Sequence, residues 1–118
     1  MNLMDEANIQ AGLNAYQREA TKVVFPHVRD NLMYFALELA EEAGEAAGKI
    51  KKMIRDDGGV MTKERKHSLQ LEMGDVLWPL SQMARILDTN FGTIALMNIE
   101  KLADRQKRGV LQGSGDYR

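Results

Sequence analysis

The chain has 118 residues, 16 basic against 17 acidic, two histidines, no cysteine and 44% hydrophobic residues, the composition of one folded domain of ordinary size. Without cysteine there is no disulfide framework, thiolate zinc site or cysteine nucleophile, so any metal is held by oxygen or by His27 and His67. The formal charge of -1 speaks against a surface that grips nucleic acid or anionic lipid, no apolar run nears the roughly 20 residues of a membrane span, and the start Met1-Asn2-Leu3-Met4-Asp5-Glu6 lacks the basic and apolar regions of a signal peptide. A cytoplasmic protein with neither nucleic acid nor membrane as partner is expected. Alanine, leucine, methionine, glutamate and lysine dominate, so the expected fold class is all-α: four helices in a bundle-like single domain over residues 1–118. The first helix runs from about Asp5 to Val24 and ends at Phe25-Pro26, because the residue before a proline is pushed out of the α region. A second opens after Asp30 or Asn31 as N-cap and reaches about Arg55, stopped by Asp56-Asp57-Gly58-Gly59. Thr62 begins a third, carried through Pro79 to Leu87 because its apolar stripe keeps its phase on both sides of the proline. After a break at Asp88 to Gly92, Thr93 caps a fourth helix to about Arg108, and residues 109–118 form a C-terminal loop, or an arm ordered only by a partner.

At about 100° per residue, Leu32, Ala36, Leu39, Ala43, Ala46, Ile50 and Ile54 form one stripe on the second helix, and Leu69, Met73, Val76, Leu80, Met83 and Leu87 form another on the third. Aligning the stripes superimposes Glu42-Ala43-Gly44-Glu45 on Glu72-Met73-Gly74-Asp75. Residues at i and i+3 are neighbours on a helix, so two antiparallel helices packed by these stripes would bring four carboxylates to one edge. Such a cluster is repulsive unless protons or a cation neutralise it, and hard oxygen ligands select Mg²⁺ or Mn²⁺. The glycine within each pair would let a ligand or a neighbouring helix come close. One such pair alone usually marks a solvated face, with Lys49 and Lys52 available to pair with Glu45; two pairs matched in phase reverse that reading.

At this point the sequence resembles the MazG-like nucleoside triphosphate pyrophosphohydrolases, all-α enzymes marked by E-x-x-E and a later E-x-x-D. Similar too are Leu39-Ala40-Glu41-Glu42-Ala43-Gly44-Glu45, Gly74-Asp75-Val76-Leu77-Trp78, Asn98-Ile99-Glu100-Lys101-Leu102 leading to Arg105, and the tail Arg108-Gly109-Val110-Leu111 with Gly113-Ser114-Gly115-Asp116. The resemblance implies hydrolysis of a nucleoside or deoxynucleoside triphosphate to the monophosphate and pyrophosphate, in a homodimer or homotetramer. It implies Glu42, Glu45, Glu72 and Asp75 as Mg²⁺ ligands, with Mn²⁺ able to substitute, and Asn98, Lys101 and Arg105 as phosphate contacts. A carboxylate beside the metal, Glu41 or Glu38, is available to orient or deprotonate the attacking water; with Glu42 and Glu45, Glu41 makes up the expected catalytic set. Two positions depart from the family's pattern: Pro79 stands where an aromatic follows Trp78, and Glu41 stands where many relatives carry a small residue.

Trp78 falls opposite the third helix's stripe and is expected as an exposed ring, for a subunit interface in the first place and for stacking on a nucleobase in the second. Asn14 and Gln17 on the first helix are further candidates for reading a base, against plain surface exposure. The two histidines read as ordinary surface or packed residues, the eight methionines as core filler, and Arg105, Lys107 and Arg108 as a basic helix end. Two alternatives to the nucleotide pyrophosphohydrolase stand: a phosphoribosyl-ATP pyrophosphohydrolase, with the same metal logic, and a non-catalytic helical module whose acidic edge binds a basic partner.

Overall fold

The helices begin where short polar side chains replace a missing carbonyl. Asn2 Oδ1 accepts the amide of Asp5 at 2.8 Å, Asn31 Oδ1 that of Tyr34 at 3.2 Å, and Thr62 Oγ1 that of Arg65 at 3.1 Å. In the computed structural model, which describes residues 1–118, they start α1 (Leu3–Thr21), α2 (Leu32–Asp57) and α3 (Lys63–Ile86), followed by α4 (Phe91–Arg108); a 3₁₀ turn, Pro26–Val28, joins α1 to α2, and there is no strand. Gly58 and Gly109 end α2 and α4 in the left-handed region, at φ 59° and 72°. α1 stops three residues before Val24. Helix α3 passes through Pro79, which is buried. No helix is long and apolar enough to cross a membrane.

The short link 58–62 folds α2 and α3 into an antiparallel hairpin. Ion pairs mark its register: Lys49 meets Glu72 at 3.5 Å, and further toward the hairpin tip Arg65 meets Asp57. Helix α1 packs against α4 and α3 at the open end of the hairpin. There Phe35 is fully enclosed, its ring 5.5 Å from that of Trp78, whose indole N–H donates to the carbonyl of Ala20 at 3.0 Å. Trp78 therefore ties α3 to α1 and is not the exposed ring expected from the sequence.

This junction is unusually polar. Gln17, Ser81 and Gln82 are buried beside Ala20, Phe35, Ala84 and Phe91. Gln82 donates to Thr21 Oγ1 at 3.1 Å and to Ser81 Oγ at 3.2 Å, and accepts from Arg85 Nε at 2.7 Å. Such a network holds because its members satisfy one another.

Away from the junction, no residue between Phe35 and Pro79 is fully buried. The stripes expected to meet are rotated. On α2 the inward face runs through Phe35, Leu39, Glu42, Ala46, Ile50 and Met53, while Leu32, Ala36, Ala43 and Ile54 are exposed. On α3, Met73, Leu80 and Leu87 face outward. Six of the eight methionines are exposed and only Met53 and Met83 are half-buried, so methionine does not fill the core. The C-terminal arm is also ordered by its own chain. Arg118 donates to the carbonyls of Val110, Leu111 and Gly115, and Arg108 donates to the carbonyl of Arg118.

Candidate active site

The register of the hairpin sets Glu42 of α2 opposite Glu72 and Asp75, which lie three residues apart on one face of α3. One carboxylate oxygen from each falls within 4.8 Å of the other two. The Lys49 ammonium, 3.5 Å from Glu72 Oε1, is the cation paired with this group. Glu72 Oε2 is buried without a hydrogen-bond partner, a desolvated acceptor of the kind folded proteins ordinarily satisfy.

The strain of this arrangement appears at Glu42, whose carboxyl is pushed from 4.5 up to about 7. Loss of hydration is the largest cause; a hydrogen bond from the protonated acid to Glu72 follows, then the charges of Asp75, Glu72 and Glu38. Three hard oxygens converging from two helices, on a residue set whose Glu72 also keeps a buried oxygen without a partner, suit a hard divalent cation. Neither histidine belongs to the group.

Residues 32–110 match the family described as the MazG nucleotide pyrophosphohydrolase domain. The chain belongs to this family. It is also 47% identical over 89 residues to the Gene 37 protein of Mycobacterium phage L5, an alignment covering 75% of this chain and 78% of that protein. No solved structure matches it. The MazG segment runs from the start of α2 past the end of α4 and so holds all three clustered carboxylates, while α1 lies outside it.

Around this MazG cluster the other expected site residues take different places. Glu45 and Glu41 on α2 are exposed and lie outside the group of three. Glu38, one turn before Glu42, is half-buried, and its charge acts on Glu42. Lys49 pairs with Glu72 across the hairpin and not with Glu45 along its own helix. Gly44 and Gly74 face open space, where a Cβ would meet nothing of this chain. The close approach expected at these glycines is therefore made by no part of the protomer itself.

The candidate base readers are spoken for. Gln17 donates from Nε2 to the carbonyls of Ser81 and Thr89, at 3.0 and 3.1 Å, and its Oε1 accepts the amide of Phe91 at 3.1 Å. Asn14 Oδ1 accepts the amide of Gly92 at 2.9 Å. Both act as caps for α4, delivered from α1, in place of the expected Thr93 and of Asn90, which makes no side-chain cap bond. The Trp78 N–H is likewise committed to Ala20.

On α4, Asn98 and Lys101 are exposed and line an open groove with Ile94 and Met97. Lys101 Nζ lies 3.6 Å from Asp116 of the C-terminal arm. Arg105 is buried beneath that arm, donating to the carbonyls of Gly115 and Asp116 at 3.2 and 3.0 Å. The expected phosphate contact at Arg105 is thus covered here, and its Nε has no partner. Tyr16 of α1 was missed by sequence reasoning. Burial, and secondarily the charge of Asp75, raise its phenol above 10.0, which places a neutral hydroxyl side chain beside the cluster. A single tyrosine on an unmatched helix carries no spacing signal that could have found it.

Proposed function

We propose that the protein is a Mg²⁺-dependent nucleoside or deoxynucleoside triphosphate pyrophosphohydrolase, releasing the monophosphate and pyrophosphate, with Mn²⁺ able to replace Mg²⁺. The observation that carries this reading is the convergence of the Glu42, Glu72 and Asp75 carboxylates, one of which keeps a buried oxygen without a partner, inside a MazG domain. Glu42, Glu72 and Asp75 would hold the cation, and the exposed side chain of Glu45, one turn from Glu42, is free to turn toward the same point. When bound, Mg²⁺ neutralises the triphosphate against this acidic wall and acidifies water.

In the reaction, a water oxygen forms a bond to the α-phosphorus as the bond from that phosphorus to the α–β bridging oxygen breaks; pyrophosphate departs with that electron pair. The water's proton passes to a carboxylate. Glu38 suits this role better than Glu41, because Glu38 faces the cluster from one turn before Glu42 while Glu41 points to solvent. Lys101 and Asn98 on the exposed face of α4 supply the remaining phosphate contacts once Asp116 yields Lys101. The enzyme works as a homodimer or homotetramer, which would cover the bare faces of the hairpin.

The test is a nucleotide panel incubated with Mg²⁺ and followed by phosphorus NMR. Monophosphate and pyrophosphate should form in equal amounts, and Glu42→Ala and Asp75→Ala should each abolish turnover while keeping helical content. Orthophosphate release, or no turnover of any nucleotide by the wild type, would defeat the reading.

A further inference from the structure

Beyond the carboxylate cluster, toward the tip of the α2–α3 hairpin, lies an open cavity of about 400 Å³ whose lining contains no hydrophobic residue. That volume falls within the roughly 300 to 1,000 Å³ of small-ligand sites, which are ordinarily mostly apolar. A nucleobase seeks flat apolar or aromatic faces, and this wall offers none. Its charged members are Lys49, Lys52 and Arg65 against Asp57 and Glu64. Arg65 engages Asp57 through Nε alone. The two outer nitrogens of its guanidinium remain for a second acceptor, in the geometry that grips phosphate oxygens in pairs.

The cavity and the cluster share a wall. Lys49 lines the cavity while its ammonium touches Glu72 of the cluster. Ser68, also in the lining, precedes Glu72 by four residues on α3, about 6 Å along the helix axis at about 1.5 Å per residue. The three cations of the lining therefore lie next to the carboxylate cluster along the hairpin, with Lys49 common to both.

We infer that this cavity is a diphosphate subsite, taking the β- and γ-phosphates of a substrate whose α-phosphate lies at the carboxylate cluster, and then the departing pyrophosphate. Lys49 sits at the boundary, Lys52 and the outer nitrogens of Arg65 hold the anion, and the hydroxyl of Ser68 donates to it. The inference rests on the pyrophosphohydrolase reading for the orientation of the substrate, whereas affinity of the cavity for pyrophosphate can be measured without turnover.

Inorganic pyrophosphate should be titrated calorimetrically into the full chain, with and without Mg²⁺, and into Lys52→Ala and Arg65→Lys. Lys52 is exposed, so its replacement leaves the fold intact, and Arg65→Lys keeps a cation beside Asp57. Each variant should weaken pyrophosphate binding by about three- to tenfold, as the loss of one hydrogen-bonded contact at an open, solvated site does. Each should raise KM for the triphosphate similarly, with inhibition by the nucleoside monophosphate unchanged. Unaltered pyrophosphate affinity in both variants overturns the subsite even if nucleotide hydrolysis is normal. If the wild type hydrolyses no nucleotide but binds pyrophosphate through Lys52 and Arg65, the proposed activity fails and the subsite stands.

Discussion

Glu42 bears the electrostatic cost of the cluster, and its shift has a sign that can be worked out. In the unfolded chain its carboxyl loses its proton near 4.5, whereas in the folded protein it keeps that proton up to about 7. Between those values the folded state binds more protons, so the stability it contributes is full at pH below 4.5 and is lost as pH rises through 7. The metal-free protein should therefore lower its Tm between pH 5 and pH 8, read by circular dichroism. Glu42→Gln should flatten that fall, and millimolar Mg²⁺ or Mn²⁺ should restore Tm at pH 8 by binding only the native state. A Tm at pH 8 that ignores both ions would argue against a carboxylate metal site. Neighbouring acids should divide by the direction they face: Glu38→Gln lowers kcat by about a hundredfold, within the usual range for a general base, and Glu41→Gln leaves kcat near wild type. Steady-state kinetics on the two single variants decides between them.

At the level of helices, the three glycines Gly44, Gly74 and Gly92 behave differently although all lie in helical segments. A Cβ on Gly92 would stand 2.7 Å from Gln10 Cα and 2.8 Å from the Gln10 carbonyl oxygen, where α1 crosses the first turn of α4. Backbone cannot swing aside as a side chain can, so Gly92→Ala should cost about 1 to 3 kcal/mol of stability in urea unfolding. Gly44→Ala and Gly74→Ala meet open space and should gain up to about 1 kcal/mol from helix propensity. The sequence marks Gly92 as a turn residue and Thr93 as a cap because it shows only neighbours in the chain. Asn14 and Gln17 cap α4 from some 75 residues away in sequence, and nothing local announces that. What was legible is what repeats: the four helices, the caps Asn31 and Thr62, the continuation of α3 through Pro79, and the i, i+3 spacing of Glu72 and Asp75 opposite Glu42. The inward face of α2 was not, because Glu38, Glu42 and Lys49 lie on it and hydropathy counts such residues as surface. A helix whose inner face is charged for chemistry hides its true phase from a pattern of apolar residues.

The protomer as a whole is too open for a chain of its size. Its radius of gyration is 17.1 Å, where a compact domain of this length has about 13.5 Å. Its accessible surface is 8448 Å², against about 6,450 Å² for a folded monomer of this mass. The excess, about 2,000 Å² per protomer, is of the scale that stable subunit interfaces bury. The hairpin presents apolar surface of this kind, with Met33, Leu37, Ile54, Leu71 and Met73 each more than half exposed. Met73, Leu80 and Leu87 of the apolar stripe read from α3 stay exposed in the single chain, and the proposed dimer or tetramer would cover them. A charge placed on that face should separate the subunits without breaking the protomer's own junction at Phe35 and Trp78. Leu37→Glu and Met73→Glu together should shift the mass measured by light scattering from a dimer or tetramer to a monomer, and the wild-type Tm should rise with protein concentration while that of the variant does not. A wild type that is monomeric at high micromolar concentration, with a Tm independent of concentration, would mean that the hairpin stands bare in solution.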